Sequence, residues 1–136
     1  MKMNRFIFVI SLVVAAASAA HATPVLLGHT GLAGQTLDTE LVKSVLLGKK
    51  VAIGDTRVVI VIAKSGEAQE GFLKSHVGMT SGQFQNHWRR LFMTGSGSAP
   101  KIVETEAEAI KVAGETPGAV LIADTAAAGA LAVLAN

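Results

Sequence analysis

Between residues 23 and 136, short apolar runs alternate with amphipathic stretches, and the period of the pattern switches back and forth. Pro24-Val25-Leu26-Leu27-Gly28 is a continuous apolar run closed by glycine, which predicts a buried strand. A Gly-rich loop over 29–35 follows. Leu41, Val42, Val45 and Leu46 then fall at helical spacing, with Asp38 placed to cap the first turn and Gly48 to end the helix before Lys49 and Lys50. Positions 51–53 and 57–63 read as two strands around Gly54-Asp55-Thr56. The second contains Val-Val-Ile-Val-Ile, the composition of a strand covered on both faces.

Ser65-Gly66 opens a second amphipathic stretch, which carries Phe72, Leu73 and Val77 and stops at Gly78. Thr80 and Gln83 fit a capping box, and behind them Phe84, Trp88, Leu91 and Phe92 share one helical face. A loop over 95–100 comes next. Thr105 and Glu108 predict a second capping box, followed by Ile110 and Ala113, with Gly114 as the stop. Thr116-Pro117-Gly118 turns the chain into an apolar strand at 119–123, and 130–134 predicts one more. With no repeat and no internal linker, this alternation predicts one α/β domain over 23–136, a mostly parallel sheet with helices on both faces.

Residues 1–22 follow a different logic. Lys2 and Arg5 precede an uncharged apolar run over 6–17, and Ala20-His21-Ala22 offers the small-x-small pattern of a cleavage site. This is the layout of a secretory signal peptide, with Thr23 as the mature start and the periplasm as destination. A spanning helix needs roughly 20 apolar residues; this run is too short, so no membrane insertion is expected after cleavage. The chain has no cysteine, so no disulfide supports the fold in an oxidising compartment.

Charge changes the picture once the signal is set aside. The chain has 12 Lys+Arg and 10 Asp+Glu, and two of the cations are Lys2 and Arg5. What remains is formally neutral, so there is no bulk attraction for nucleic acid or an anionic surface. Trp88 with Arg89 and Arg90 reads as one core aromatic beside two surface cations, not as a nucleic-acid stacking site.

No catalytic or metal constellation emerges, and no cofactor or enzymatic activity is expected. His29, His76 and His87 lack metal-ligand spacing, and no G-x-S-x-G elbow is present. Glu104, Glu106 and Glu108 suit the start of a helix dipole. The leading anion-site candidate is Thr94, Gly95, Ser96, Gly97 and Ser98, where glycines let backbone N–H groups converge and hydroxyls add donors. The same residues also make an ordinary helix-stop loop. Ser65 and Gly66 are a second candidate, at a helix start that attracts anions or is simply capped. Thr30, beside His29 at the end of the first strand, is the third.

Several segments in order carry a resemblance. They are Leu47-Gly48-Lys49 with Gly54-Asp55, then Phe72-Leu73, then Gln83-Phe84 through Trp88-Arg89-Arg90. Phe92-Met93-Thr94-Gly95-Ser96-Gly97-Ser98-Ala99-Pro100-Lys101 follows, and Thr116-Pro117-Gly118-Ala119 closes the set. This order resembles the short single-domain proteins similar to phosphate ABC-transporter substrate-binding proteins. The resemblance implies one lobe of the type II periplasmic-binding-protein fold, where full-length members hold an oxyanion between two lobes. It further implies phosphate or a related small oxyanion as ligand and an ABC permease as partner. Two departures stand out. Leu121-Ile122 replaces the family's Gly-Tyr, and Glu67 and Glu70 follow Ser65-Gly66 where a phosphate favours a cation. The alternative function is a non-transport envelope interaction module, a half-lobe that docks on an envelope protein or pairs as a homodimer without a small ligand.

Overall fold

The computed structural model describes residues 23–95 and 99–136; the expected signal peptide, 1–22, lies outside them, as do Ser96, Gly97 and Ser98. Five strands, β1 (Pro24–Gly28), β4 (Val59–Ala63), β5 (Lys101–Val103), β6 (Ala119–Asp124) and β7 (Ala132–Ala135), form one sheet in the order β5-β4-β6-β1-β7. Two more, β2 (Ala52–Ile53) and β3 (Thr56–Arg57), make a separate hairpin. Four helices complete the chain: α1 (Thr39–Leu46), α2 (Glu67–His76), α3 (Ser81–Met93) and α4 (Glu106–Glu115).

The sheet is mixed. β4 runs parallel to β5 and β6, but β1 is antiparallel to both of its neighbours, β6 and β7. Four strands therefore share a direction, as the expected mostly parallel sheet requires, while half of the pairings are antiparallel. An apolar run reports burial on both faces and carries no information about strand direction, so β1 was legible as a strand and its reversal was not.

Alternation along the strands builds two cores. Leu26, Ile60, Ile62, Val120 and Ile122 face Val42, Val45 and Leu46 of α1, Phe72 and Leu73 of α2, and Phe84 and Trp88 of α3. On the other face, Val25, Leu27, Val61, Ala63, Ala119, Leu121 and Ala123 meet Ala109 and Ala113 of α4. Small side chains on both sides of this second layer let the helix backbone approach closely. Helices thus cover both faces, as the alternation of elements predicts.

The caps follow the sequence with one difference. Asp38 Oδ1 accepts the Leu41 N–H at 2.8 Å. Thr80 and Gln83 form a reciprocal box, each side chain accepting the other's backbone N–H. Thr105 accepts the Glu108 N–H, but the Glu108 carboxylate takes the Glu104 N–H instead of completing the box. Gly114 does not stop α4, which continues to Glu115.

The stretch 57–63, expected as one strand, divides: Arg57 pairs with Ala52 in the hairpin and β4 begins at Val59. Trp88 ties α3 to the end of α1. Its Nε1 donates to the Leu46 carbonyl at 2.9 Å, and its ring packs where a Cβ on Gly48 would stand 3.0 Å away. Phe92, placed by periodicity on the same face, is 57% exposed.

Candidate functional site

In open α/β sheets ligands gather where neighbouring strands diverge at their C-terminal ends. Here β4 and β6 stay in register only at Val59 with Ala119 and Ile60 with Val120. Beyond that point the backbone of Ala63 faces away from β5, because the next N–H, that of Lys64, is the one bonded to Val103. The side chain of Gln69, from the first turn of α2, fills the opening. Its Oε1 accepts the Ala63 N–H at 3.0 Å, and its Nε2 donates to the Ala63 carbonyl at 2.8 Å and to Ser81 Oγ at 3.1 Å. Gln69 is 3% exposed. The chain's own amide occupies the position that a ligand takes in other sheets of this kind.

Between the start of α2, the start of α4 and the end of β6 lies a cavity of about 260 Å³ lined by Gly66, Glu67, Ala68, Glu106 and Asp124. Its carboxylates are partly engaged: Glu106 Oε1 accepts the Asp124 N–H, and Asp124 Oδ1 accepts the Ala126 N–H, both at 3.0 Å. The nearby Lys64 is paired with Glu104 at 2.7 Å. Glu70, one residue after Gln69, accepts the Ser81 N–H at 2.9 Å. The Ser81 hydroxyl and backbone N–H, with a smaller contribution from Lys74, hold its carboxyl below the ordinary value against a modest opposing effect of desolvation. This cavity, at the C-terminal end of β6 and beside the start of α2, is therefore lined by three carboxylates and no cationic side chain, an environment that disfavours an anion.

The sequence-predicted residues fall in separate places. The Ser65 hydroxyl donates to the Glu104 carbonyl at 3.4 Å, and Gly66 is the N-cap of α2 without a side-chain bond. Thr30 lies in a short 3-10 turn after β1, where His29 Nδ1 accepts the Gly31 N–H. Because β1 is reversed, its end at Gly28 pairs with Val120 near the start of β6, so Thr30 lies at the opposite end of the sheet from Ser65 and Gly66. Thr94 caps the C-terminus of α3 and donates its hydroxyl to Leu91, and Gly95 follows with φ +73. The rest of that candidate loop, Ser96, Gly97 and Ser98, is outside the described residues. Leu121 and Ile122 are both buried, one in each core, so the positions of the family's Gly-Tyr are packing positions here.

The histidines are occupied with structure. His87 Nε2 bonds the Leu47 carbonyl at 2.8 Å, and His76 stacks on Phe72 with ring centroids 3.9 Å apart. Among the described residues no group of His, Cys, Asp or Glu is arranged to hold a metal, and no helix is long and apolar enough to cross a membrane.

Sequence reasoning missed two features. Gln69 is one polar position in an amphipathic helix, where polarity normally signals solvent. Its only clue is that it stands next to the apolar Ala68 and shares the helix face of Phe72 and Leu73. The second is a shallow cavity of about 640 Å³ along the outer side of α3, lined by Met79, Gln83, Asn86, Arg89, Arg90 and Met93. Compared with known proteins, the chain matches no family model and no curated sequence.

Proposed function

We propose that this chain is an exported protein of the bacterial cell envelope, built as a single lobe of the type II periplasmic-binding-protein kind, that acts there as an interaction module and not as a stand-alone phosphate carrier. One observation carries the reading: the crevice between β4 and β6 is filled by Gln69, and the cavity at the end of β6 is lined by Glu67, Glu106 and Asp124. The motifs behind the family resemblance support the lobe, and they do so through packing. Leu46, Gly48 and Trp88 join α1 to α3. Gly118, with φ +79, lies so close to the Arg57 carbonyl that a side chain has no room. Motif residues engaged in packing of this kind would explain the resemblance without an oxyanion contact.

A second reading, a solute-binding protein for phosphate or a related small oxyanion serving an ABC permease, rests on the ordered motif set and on the loop that begins at Thr94-Gly95. Isothermal titration separates the two. The interaction-module reading expects no heat and no rise in melting temperature with phosphate or sulfate at about 100 times a micromolar-range Kd, where a true ligand adds about 2.7 kcal/mol of stability. Saturable phosphate binding that shifts the melting temperature by that amount replaces the first reading with the second.

A further inference from the structure

The cavity of about 640 Å³ along α3 has a lining that neither the core nor the crevice accounts for. Met79, Gln83, Asn86, Arg90 and Met93 recur at alternating steps of four and three residues. They therefore form one stripe, about 20 Å long, along the helix and the turn before it. Phe84 and Trp88 take the opposite face into the core, so the stripe is the side of α3 that the fold leaves uncovered. Its two ends are thioethers. Met79 is half-buried against the core, and Met93 is 78% exposed. Arg89 and Arg90 line the same cavity, and no carboxylate stands among its described lining residues. Among the described residues the ion pairs are Lys64 with Glu104 and Lys74 with Glu70, so neither guanidinium has an acidic partner within salt-bridge distance. Arg89 makes one long bond, 3.5 Å to Asn86 Oδ1.

We infer that this groove is the docking site of the interaction module, and that its occupant is an acidic amphipathic segment of a partner protein, laid as a helix along α3. The inference rests on the interaction-module reading and gives the partner its chemistry. Charge complementarity sets the sign: two unpaired arginines call for carboxylates, onto which a guanidinium can fork with two parallel bonds. The methionines set the rest. Unbranched thioethers adapt to apolar side chains of different shapes, and a helix in a groove presents such anchors three or four residues apart, the spacing of the stripe itself. Other occupants use less of the lining. Free phosphate would engage the arginines and leave the methionines bare. A bilayer rests on what protrudes, whereas the half-buried Met79 lines the recess. A second copy docking through the same groove brings four arginines together. Docking instead through its cavity at the end of β6, it offers carboxylates but no large apolar side chain.

The test is panning of a random peptide library, each member about 16 residues long so that a helix can span the stripe, against the immobilised native protein. Fluorescence polarisation then gives the affinity of each enriched peptide. Enriched sequences are expected to combine Asp or Glu with large apolar residues three or four positions apart. R89Q/R90Q is expected to weaken their binding at least about tenfold, because two charged contacts are lost together, and M93S to weaken it as well. All three positions are exposed, and thermal melts matching the native one show that the fold is kept. No enrichment, enriched peptides without an acidic bias, or binding indifferent to either variant overturns the inference. So does binding to phosphatidylglycerol vesicles that R89Q/R90Q abolishes while no acidic peptide enriches, which assigns the groove to a membrane surface. Acidic peptides that bind regardless of these variants remove the groove and leave the interaction-module reading standing, whereas saturable phosphate binding removes that reading and the groove's role with it.

Discussion

Replacing Gln69 by alanine tests whether the crevice is closed by a designed contact. In the native chain one amide side chain satisfies two buried backbone groups of Ala63, which is itself 2% exposed, and donates to Ser81 as well. Alanine leaves an N–H and a carbonyl at the end of β4 without partners and opens a small void. A buried polar group stripped of its partner costs about 1–3 kcal/mol, and water entering the opened crevice recovers part of that. The expected loss is about 2–4 kcal/mol. Urea denaturation followed by the fluorescence of Trp88, the single tryptophan, reads it directly, and an unchanged slope places the effect in the native state. Gln69→Leu, similar in size, is expected to lose nearly as much, because volume without hydrogen bonds does not satisfy Ala63. A loss below about 1 kcal/mol for both variants refutes the reasoning, and the crevice is then better described as an open site than as a filled one.

Two further outcomes follow from local geometry. Glu70 has a carboxyl held below its ordinary value of 4.5, so its contribution is complete above that value and disappears as pH falls through the lowered one. Melting temperatures taken from pH ~6 to ~3 are therefore expected to fall more steeply for the native protein than for Glu70→Gln, and parallel curves argue against a role for the Ser81 contacts. Gly118→Ala places a side chain against the Arg57 carbonyl at a left-handed backbone position, and a loss of at least about 2 kcal/mol in the same urea assay is expected; a neutral result means that the β3–β4 segment gives way easily.

Local chemistry was the part of the fold open to reading. Asp38, Thr80 and Thr105 cap where their hydrogen-bonding chemistry says they should, because a cap is decided within four residues. The two-faced burial of β4 was equally plain in its unbroken apolar run. What escaped depends on partners distant in sequence. The reversal of β1 is set by β6 and β7, about a hundred residues later. β5 has only three residues, with Lys101 and Ile102 exposed at the sheet edge, and so carries no burial signal. The candidate site suffered most from this. Thr30 was placed at a strand end on the assumption of a shared direction, and reversing one strand carried it to the far side of the sheet from Ser65. Gln69 was hidden for a related reason: whether a polar side chain meets water or a stranded backbone amide is decided by where two strands part.

The position of β1 also sets the order in which the molecule can assemble. This strand is the first described element of the chain, yet all of its ladder partners lie within residues 119–135. During synthesis from the N-terminus it emerges early and has nothing to pair with, and the central sheet cannot close until almost the whole polypeptide is available. Long-range pairing of this kind delays folding. Under the export reading proposed above, that delay would serve a purpose: the topology postpones the knot of contacts that would jam passage through a translocation channel, and allows it to form once the last strands are available.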